Sequence, residues 1–388
     1  MKVALAHDYL REYGGAERVL EALHDIFPDA PVYTAYYNSA SLGENGKRFS
    51  PPAGGWDIKT SWFQKFPFAN KLLSPFRLFA PMMFESFDLG EFDLVISSSS
   101  AAYLAKAVIT KPETLHISYI HTPPRFLYGY VTSFNYKKNP ITKVLGEIAN
   151  HFLRIYDFEV SQRPDILVAN SKNIQKRIKK FYRRDSVVIY PPVDVKAISH
   201  QSSAIRQSES RRLKADSYYL VLSRLVRGKG VEVIVEACGR LGLPLKVAGV
   251  GPELDNLKRL STNYQLQTTN FLGWVSDEER VTLLQNAKAL IVAAEDEDFG
   301  ITSIEAQAAG TPVIAPASGG FLETVEDGKT GLLYGGPGMV NADNLVEALQ
   351  EFSDLKLNSE DCRKNAEKFS KERFKKEILE LVEKNLAH

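Results

Sequence analysis

The chain is poor in cysteine. Cys238 and Cys362 are the only two in 388 residues, too few for a disulfide framework or a zinc cluster. They fit a reducing compartment. No run of 18 apolar residues occurs, which argues against a transmembrane helix. The start, MKVALAHDYL, lacks the apolar segment of about 7–15 residues that marks a secretory signal. The expected location is the cytoplasm, peripheral on the cytoplasmic face of the membrane. There is no finer internal repeat and no low-complexity tract. Net charge is also nearly absent at +1, but this hides an asymmetry. Residues 1–190 carry 24 Lys and Arg against 18 Asp and Glu, and the remainder 24 against 29. The first half is the one suited to meet an anionic surface.

What is present is alternation. Apolar strands are expected at Val3–Ala6, Val32–Ala35, Leu94–Ser97, His116–Ile120, Ile166–Ala169 and Val187–Ile189. Helices are expected at Ala16–Ile26, Ile141–Val160 and Ile174–Phe181. The pattern restarts with strands at Tyr219–Ser223, Leu245–Ala248, Asn270–Leu272, Ala289–Ala293, Val313–Ala315 and Gly331–Leu333. Its helices fall at Val231–Leu241, Glu253–Leu260, Asp277–Asn286 and Ile301–Ala309, and three more near 342–352, 359–369 and 371–386 close the chain. Strand–helix alternation predicts βαβ units with parallel sheets. Tyr190-Pro191-Pro192-Val193-Asp194 and the polar stretch His200–Ser217 read as an interdomain linker. The fold class is α/β, with two Rossmann-like domains facing each other across a cleft.

The most informative stretch is IVAAEDEDFGITSIEAQAAGTPVIA, residues 291–315. It reads as strand, acidic loop, helix, strand. Its helix opens just past the carboxyl end of a strand, where open α/β sheets bind ligands. The N–H groups of Gly300, Ile301 and Thr302 would face an anion there. Glu297 precedes the helix and Glu305 lies more than one turn into it, so a ligand with phosphate at the tip would have a carboxylate near each end. A sugar nucleotide has that shape. The bare spacing also fits a solvated loop acid and a helix-face acid. Two carboxylates flanking a helix tip stand too far apart for the hydrolase pair, which needs about 5–5.5 Å.

Other turns follow the same logic. Gly14-Gly15 precedes the first helix and lets backbone approach a phosphate, without the G-x-G-x-x-G dinucleotide fingerprint. Arg224 follows a strand and Lys229 precedes a helix, placed so that two cations could converge on a departing diphosphate. Gly249, Gly251, Trp274 and Val275 lie in strand-to-helix turns that could form a slot for a flat base. His121 ends a strand and is followed by Thr122-Pro123-Pro124. Each of these turns, read singly, also fits an ordinary structural role. The segment Ile58–Phe84 has no acidic residue and interleaves Lys59, Lys65, Lys71 and Arg77 with seven aromatic rings. It suits an anionic membrane surface, a phosphate-bearing lipid acceptor, nucleic acid or a buried aromatic excursion. The membrane reading is adopted, and no nucleic-acid partner is expected. A second basic cluster runs from Lys172 to Arg184.

Taken in order, Gly14-Gly15, His121-Thr122-Pro123, Tyr190–Asp194, Ser223-Arg224-Leu225 with Lys229-Gly230, Gly249–Glu253, Gly273-Trp274-Val275 and the pair Glu297…Glu305 resemble family 4 of the retaining glycosyltransferases. The resemblance covers nearly the whole chain. It implies the GT-B fold, with residues 1–193 plus about 371–388 as the acceptor-side domain and 194–370 as the nucleotide-sugar donor domain. The last helix, Phe374–Leu386, would cross back to the first domain. Arg224, Lys229, Gly300, Ile301, Thr302, Gly14 and Gly15 would hold the donor diphosphate. Glu305 would bind the ribose, Glu297 the sugar hydroxyls, and His121 would touch the sugar near the reacting carbon. The resemblance implies no metal, and no cofactor beyond the donor itself. It implies a saccharide or polyprenyl-phosphate-linked acceptor. The His7-Asp8-Tyr9 and His121–Arg125 elements look most like bacterial polysaccharide or O-antigen mannosyltransferases using GDP-mannose. A sugar-nucleotide epimerase and a non-catalytic sugar-nucleotide-binding protein are the alternatives. Both glutamates are expected to line solvent.

Overall fold

The computed structural model describes residues 1–49, 55–73, 75–100, 104–130, 140–201, 218–263 and 268–386. The chain forms two compact units. The first spans Met1–Tyr130, Asn135–Pro192 and Phe374–His388, and the second Val193–Arg373.

The first unit is built on a parallel sheet of seven strands: β1 Val3–His7, β2 Val32–Thr34, β3 Ile58–Thr60, β4 Leu94–Ser99, β5 Leu115–Ile120, β6 Ile166–Ala169 and β7 Val187–Val188. Their order is β3-β2-β1-β4-β5-β6-β7. The central strands are covered on both faces, so β1 and β4 read as continuous runs of small and apolar residues. The helix Gly15–Ile26 buries Val19, Leu20 and Leu23 against one face. The final helix, Lys371–Leu386, adds Phe374, Ile378 and Val382 to the same core, at the four-residue spacing of one helical face.

The segment 58–84 divides between core and surface. It supplies the edge strand β3 and then four short helical turns. Phe63 and Phe84 are fully buried, whereas Phe66, Phe68 and Phe79 are exposed. The apolar half of the pattern is thus split between core and surface. A buried ion pair lies beneath. Lys106 Nζ stands 2.6 Å from Asp157 Oδ1 and donates to the Tyr182 hydroxyl at 2.7 Å. The Tyr128 hydroxyl donates to the other Asp157 oxygen at 2.7 Å. Burial pulls the Lys106 ammonium below its usual range, against the pull of Asp157.

The second unit repeats the theme with six parallel strands: β8 Tyr218–Leu222, β9 Leu245–Ala248, β10 Thr269–Gly273, β11 Ala287–Ile291, β12 Val313–Pro316 and β13 Gly331–Tyr334. Their order is β10-β9-β8-β11-β12-β13. The helices Val231–Arg240 and Ala342–Asp354 bury Ile234, Val235, Leu345 and Leu349 in one core with Val221 and Val247. Most of the expected linker, residues 202–217, lies outside the described residues, and residues 195–201 are helical. Both sheets reverse strand order beside their first strand, at β1/β4 and β8/β11. Ligands of doubly wound sheets bind outside the carboxyl ends at such points.

The closing helix has a measurable role in the first core. Phe374 is fully buried, so Phe374→Ala should cost about 3–5 kcal/mol. Chemical denaturation would read this as a large drop in the unfolding midpoint, and an unchanged midpoint would remove the helix from that core.

Candidate functional site

In the second unit the loops after β8 and β11 converge. Gly230, at φ +64°, leads into the helix Val231–Arg240. A Cβ there would lie 2.2 Å from the Ala293 carbonyl oxygen, so only glycine lets the Lys229 turn approach the end of β11. The result is a contact between two residues 68 apart in sequence: Lys229 Nζ lies 2.7 Å from Glu297 Oε2. Both side chains are partly exposed. Arg224 sits exposed in the same loop system.

The acidic loop is clamped from below. The Gly320 N–H donates to the Glu297 carbonyl at 2.9 Å, and the Ser318 hydroxyl to the Glu295 carbonyl at 2.8 Å. A Cβ on Gly320 would lie 2.4 Å from Phe299 Cα. Ser318, Gly319 and Gly320 therefore belong to the site's support. Their signal was legible as a second strand–Gly-Gly–helix turn, like Gly14-Gly15, but was not used. The helix Ile301–Ala308 follows, with Gly300 as its N-cap, no side-chain cap bond and no acid in its first turn. Such a tip favours an anion through its unsatisfied N–H groups and dipole.

Glu305 is placed differently from the expectation that it lines solvent. It is 2% exposed, and its Oε1 lies 3.4 Å from an Arg280 guanidinium nitrogen. The helix packs so closely, through Ala306, Ala308 and Ala309, that a residue one turn from its tip is enclosed. Arg280 was missed because a cation at an i,i+3 spacing from Asp277 reads as a surface helix pair.

The turns assigned to a base adjoin one another. The Gly249 N–H donates to the Gly273 carbonyl at 2.7 Å, and the Leu225 N–H to the Val250 carbonyl at 2.9 Å. Trp274 is exposed and Val275 half-buried beside them. Gly249 and Gly251 both lie against the backbone of residues 223–225, so their small size serves loop-to-loop packing.

In the first unit three strand ends carry a buried polar chain. Glu17 Oε1 stands 3.4 Å from His7 Nε2, His7 Nδ1 3.1 Å from Ser98 Oγ, and Ser98 Oγ 2.9 Å from His121 Nε2. With Glu17 ionised it can only accept. His7 then carries its proton on Nε2 and accepts from the Ser98 hydroxyl on Nδ1, Ser98 accepts from His121 Nε2–H, and His121 Nδ1 keeps a lone pair. Burial is the main cause that pulls the His121 imidazole down to about 3, and a proton gained by His7 would add to the pull. The Gly14 N–H donates to Glu17 Oε2 at 2.8 Å. The participation of His7, Ser98 and Glu17 was missed, because only strand pairing brings them to His121.

Residues 203–369 match the family model of the glycosyl transferases group 1. The chain is similar to the D-inositol 3-phosphate glycosyltransferase of Corynebacterium urealyticum, at 27% identity over 59% of this chain and 58% of that protein. It is also similar to the O-antigen chain mannosyltransferase C of Escherichia coli, at 25% identity over 61% of each. The chain spans little more than half the length of these curated relatives. Among solved structures it resembles Anabaena Alr3699/HepE in complex with UDP and glucose, with a TM-score of 0.70 at 19% identity, covering 99% of this chain and 100% of that one. The fold is GT-B. Within this GT-B chain the family match falls on the second unit, which holds Arg224, Lys229, Glu297, the helix tip and Glu305. Among the described residues, no three His, Cys, Asp or Glu side chains cluster as a metal site.

The buried histidines set a pH dependence. His116 and His121 are both pulled from 6.5 down to about 3, chiefly by burial. Their native forms bind fewer protons than the unfolded chain below about pH 6.5. The stability they contribute is complete above that pH and falls, by about 1.4 kcal/mol per pH unit for each, as the pH drops toward 3. Melting temperature measured from pH 7.5 to 5 should decline, and less steeply in His116→Gln. Parallel slopes for the two proteins would show that His116 is not held neutral.

Proposed function

We propose that this protein is a retaining glycosyltransferase that moves a hexosyl group, mannosyl from GDP-mannose, to a saccharide or polyprenyl-phosphate-linked acceptor in cell-surface polysaccharide synthesis. The observation that carries the reading is the Lys229–Glu297 contact at 2.7 Å beside an uncapped helix tip. It brings a cation to a carboxylate that stands three residues before that tip in the chain. The nucleotide and sugar bound to the Anabaena neighbour and the mannosyl activity in the name of the Escherichia coli relative support the donor class.

In this reading the second unit holds the donor. Arg224, Lys229 and the N–H groups of Gly300, Ile301 and Thr302 receive the diphosphate. Glu305 binds the ribose from its buried position, oriented by Arg280. Gly249, Gly251, Trp274 and Val275 border the base. Glu297 binds the sugar hydroxyls, exchanging its contact with Lys229 for one that strengthens as the ring gains positive charge. His121 contacts the sugar near the reacting carbon as a neutral imidazole. The first unit receives the acceptor and meets an anionic membrane face through 58–84. Fixed cations stabilise the departing phosphate, and the reaction proceeds on the face the phosphate leaves, without a required metal.

Turnover of a panel of nucleotide sugars, with and without a polyprenyl-phosphate acceptor, tests the reading. Arg224→Ala and Lys229→Ala should each lower kcat/KM by roughly a hundredfold or more, and wild-type rates in both would refute the diphosphate assignment. Activity should persist in EDTA, and a loss restored by Mg²⁺ would require a metal.

The two glutamates should fail differently. Glu297→Gln should mainly lower kcat, because its bonds tighten at the transition state. Glu305→Gln should mainly raise the donor KM, with some loss of melting temperature because it is enclosed against Arg280. Equal KM effects with intact kcat would move Glu297 off the sugar.

A further inference from the structure

One helix of the first unit is apolar on the wrong side. Pro140–Val160 buries Leu153, Asp157 and Val160 inward. Its opposite stripe carries Val144, Ile148, Phe152, Ile155 and Phe158, each between 38 and 64% exposed. Steps of three and four residues keep all five on one face, about 21 Å long at 1.5 Å per residue. Single exposed apolar residues need no explanation, but a continuous row of five marks a surface built for contact.

We propose that this outward stripe, with the exposed side chains of the 66–82 segment, docks on an anionic phospholipid bilayer. The inference deepens the membrane reading given above and moves its main contribution from the basic residues of 58–84 to the apolar helix. Phe66, Phe68, Leu78, Phe79 and Met82 are exposed in that segment. Its rings lean on one another from core to surface, with Phe63 5.0 Å from Phe76 and Phe76 5.5 Å from Phe79. Residues 126–127 join the two parts: the Arg77 guanidinium lies 4.7 Å over the Phe126 ring, and Arg154 donates to the Leu127 carbonyl at 3.2 Å.

Charge selects the occupant. Residues 58–84 hold four cations and no acid, and Lys65 and Lys143 are exposed beside the apolar rows. The basic border lies on the 58–84 side, since the helix itself carries Glu147 and an exposed Glu159 besides Lys143; an apolar strip edged by cations on that side matches the boundary between acyl chains and anionic headgroups. The helix lies on the membrane rather than through it, since no helix among the described residues is long and apolar enough to cross one.

Flotation of the full chain with vesicles of phosphatidylcholine and phosphatidylglycerol tests the proposal, at low salt and in 0.5 M NaCl. The wild type should float and keep a salt-resistant fraction. Phe152→Ser/Ile155→Ser leaves the charge unchanged and should lower that fraction roughly tenfold or more, with unchanged circular dichroism and melting temperature. In a separate variant, Phe152→Trp, fluorescence should be quenched by brominated acyl chains. Lys65→Glu/Lys71→Glu/Arg77→Glu should weaken only the low-salt binding. Wild-type partitioning of the serine variant would overturn the helix assignment, and if the glutamate variant alone lost binding, the broader membrane reading would survive without it. A wild type that ignores vesicles but dissociates from dimer to monomer on the serine substitutions would assign the face to a second copy instead. Donor turnover is measured without vesicles, so its failure would leave the docking surface standing.

Discussion

Parallel strand pairing governs the positions of the functional side chains in both units. Every strand in a sheet points the same way, so every strand-to-helix loop emerges at one edge. Residues far apart in sequence then meet with no dedicated contact between their helices. Arg224, Lys229, Glu297 and the tip at Gly300 share an edge because β8 and β11 are neighbours. His7, Ser98 and His121 share one because β1, β4 and β5 are. Changing the pairing order would scatter both groups, while most substitutions in the connecting helices would leave them in place.

The two groups differ in their dielectric surroundings. The Lys229–Glu297 contact is partly exposed, so water competes with it and its formation contributes little to stability. Such a contact is easily exchanged for another partner. The Glu17–His7–Ser98–His121 chain is enclosed, and every unmet bond in it would cost the full desolvation of a polar group. It is a fixed arrangement that sets which nitrogen of His121 is a donor. One unit thus carries an exchangeable pair and the other a rigid one.

Strand and helix order was legible because periodicity reports burial directly. The expected Ile301–Ala309 helix falls on Ile301–Ala308, and Leu245–Ala248 is found as a strand with those bounds. The edge strand Ile58–Thr60 was not, because three residues within a basic-aromatic run carry no alternation. The helix start at Gly300 was legible from glycine placement after a strand. The enclosure of Glu305 was not, since its partner Arg280 comes from another helix, outside its own period. The bond at Gly14 was not read from the sequence: Glu17, three residues on, reaches back to its N–H as helix-starting carboxylates do. The outward stripe of Pro140–Val160 was invisible because an apolar helix with two greasy faces reads the same as one with a single broad core face.

That helix raises a question of orientation that apolar burial cannot answer. Turned half a revolution, it would still present Val144, Ile148, Phe152 and Ile155 as a serviceable core face, with nearly the same area removed from water. Asp157 breaks the degeneracy. Only one rotation brings its carboxylate to Lys106 and the hydroxyls of Tyr128 and Tyr182, and any other would strand Lys106 inside without a counter-charge. Against a well-packed apolar replacement the buried pair adds little net stability. Its contribution is specificity: it tells a symmetric-looking cylinder which way to face, and so leaves the second apolar side outside.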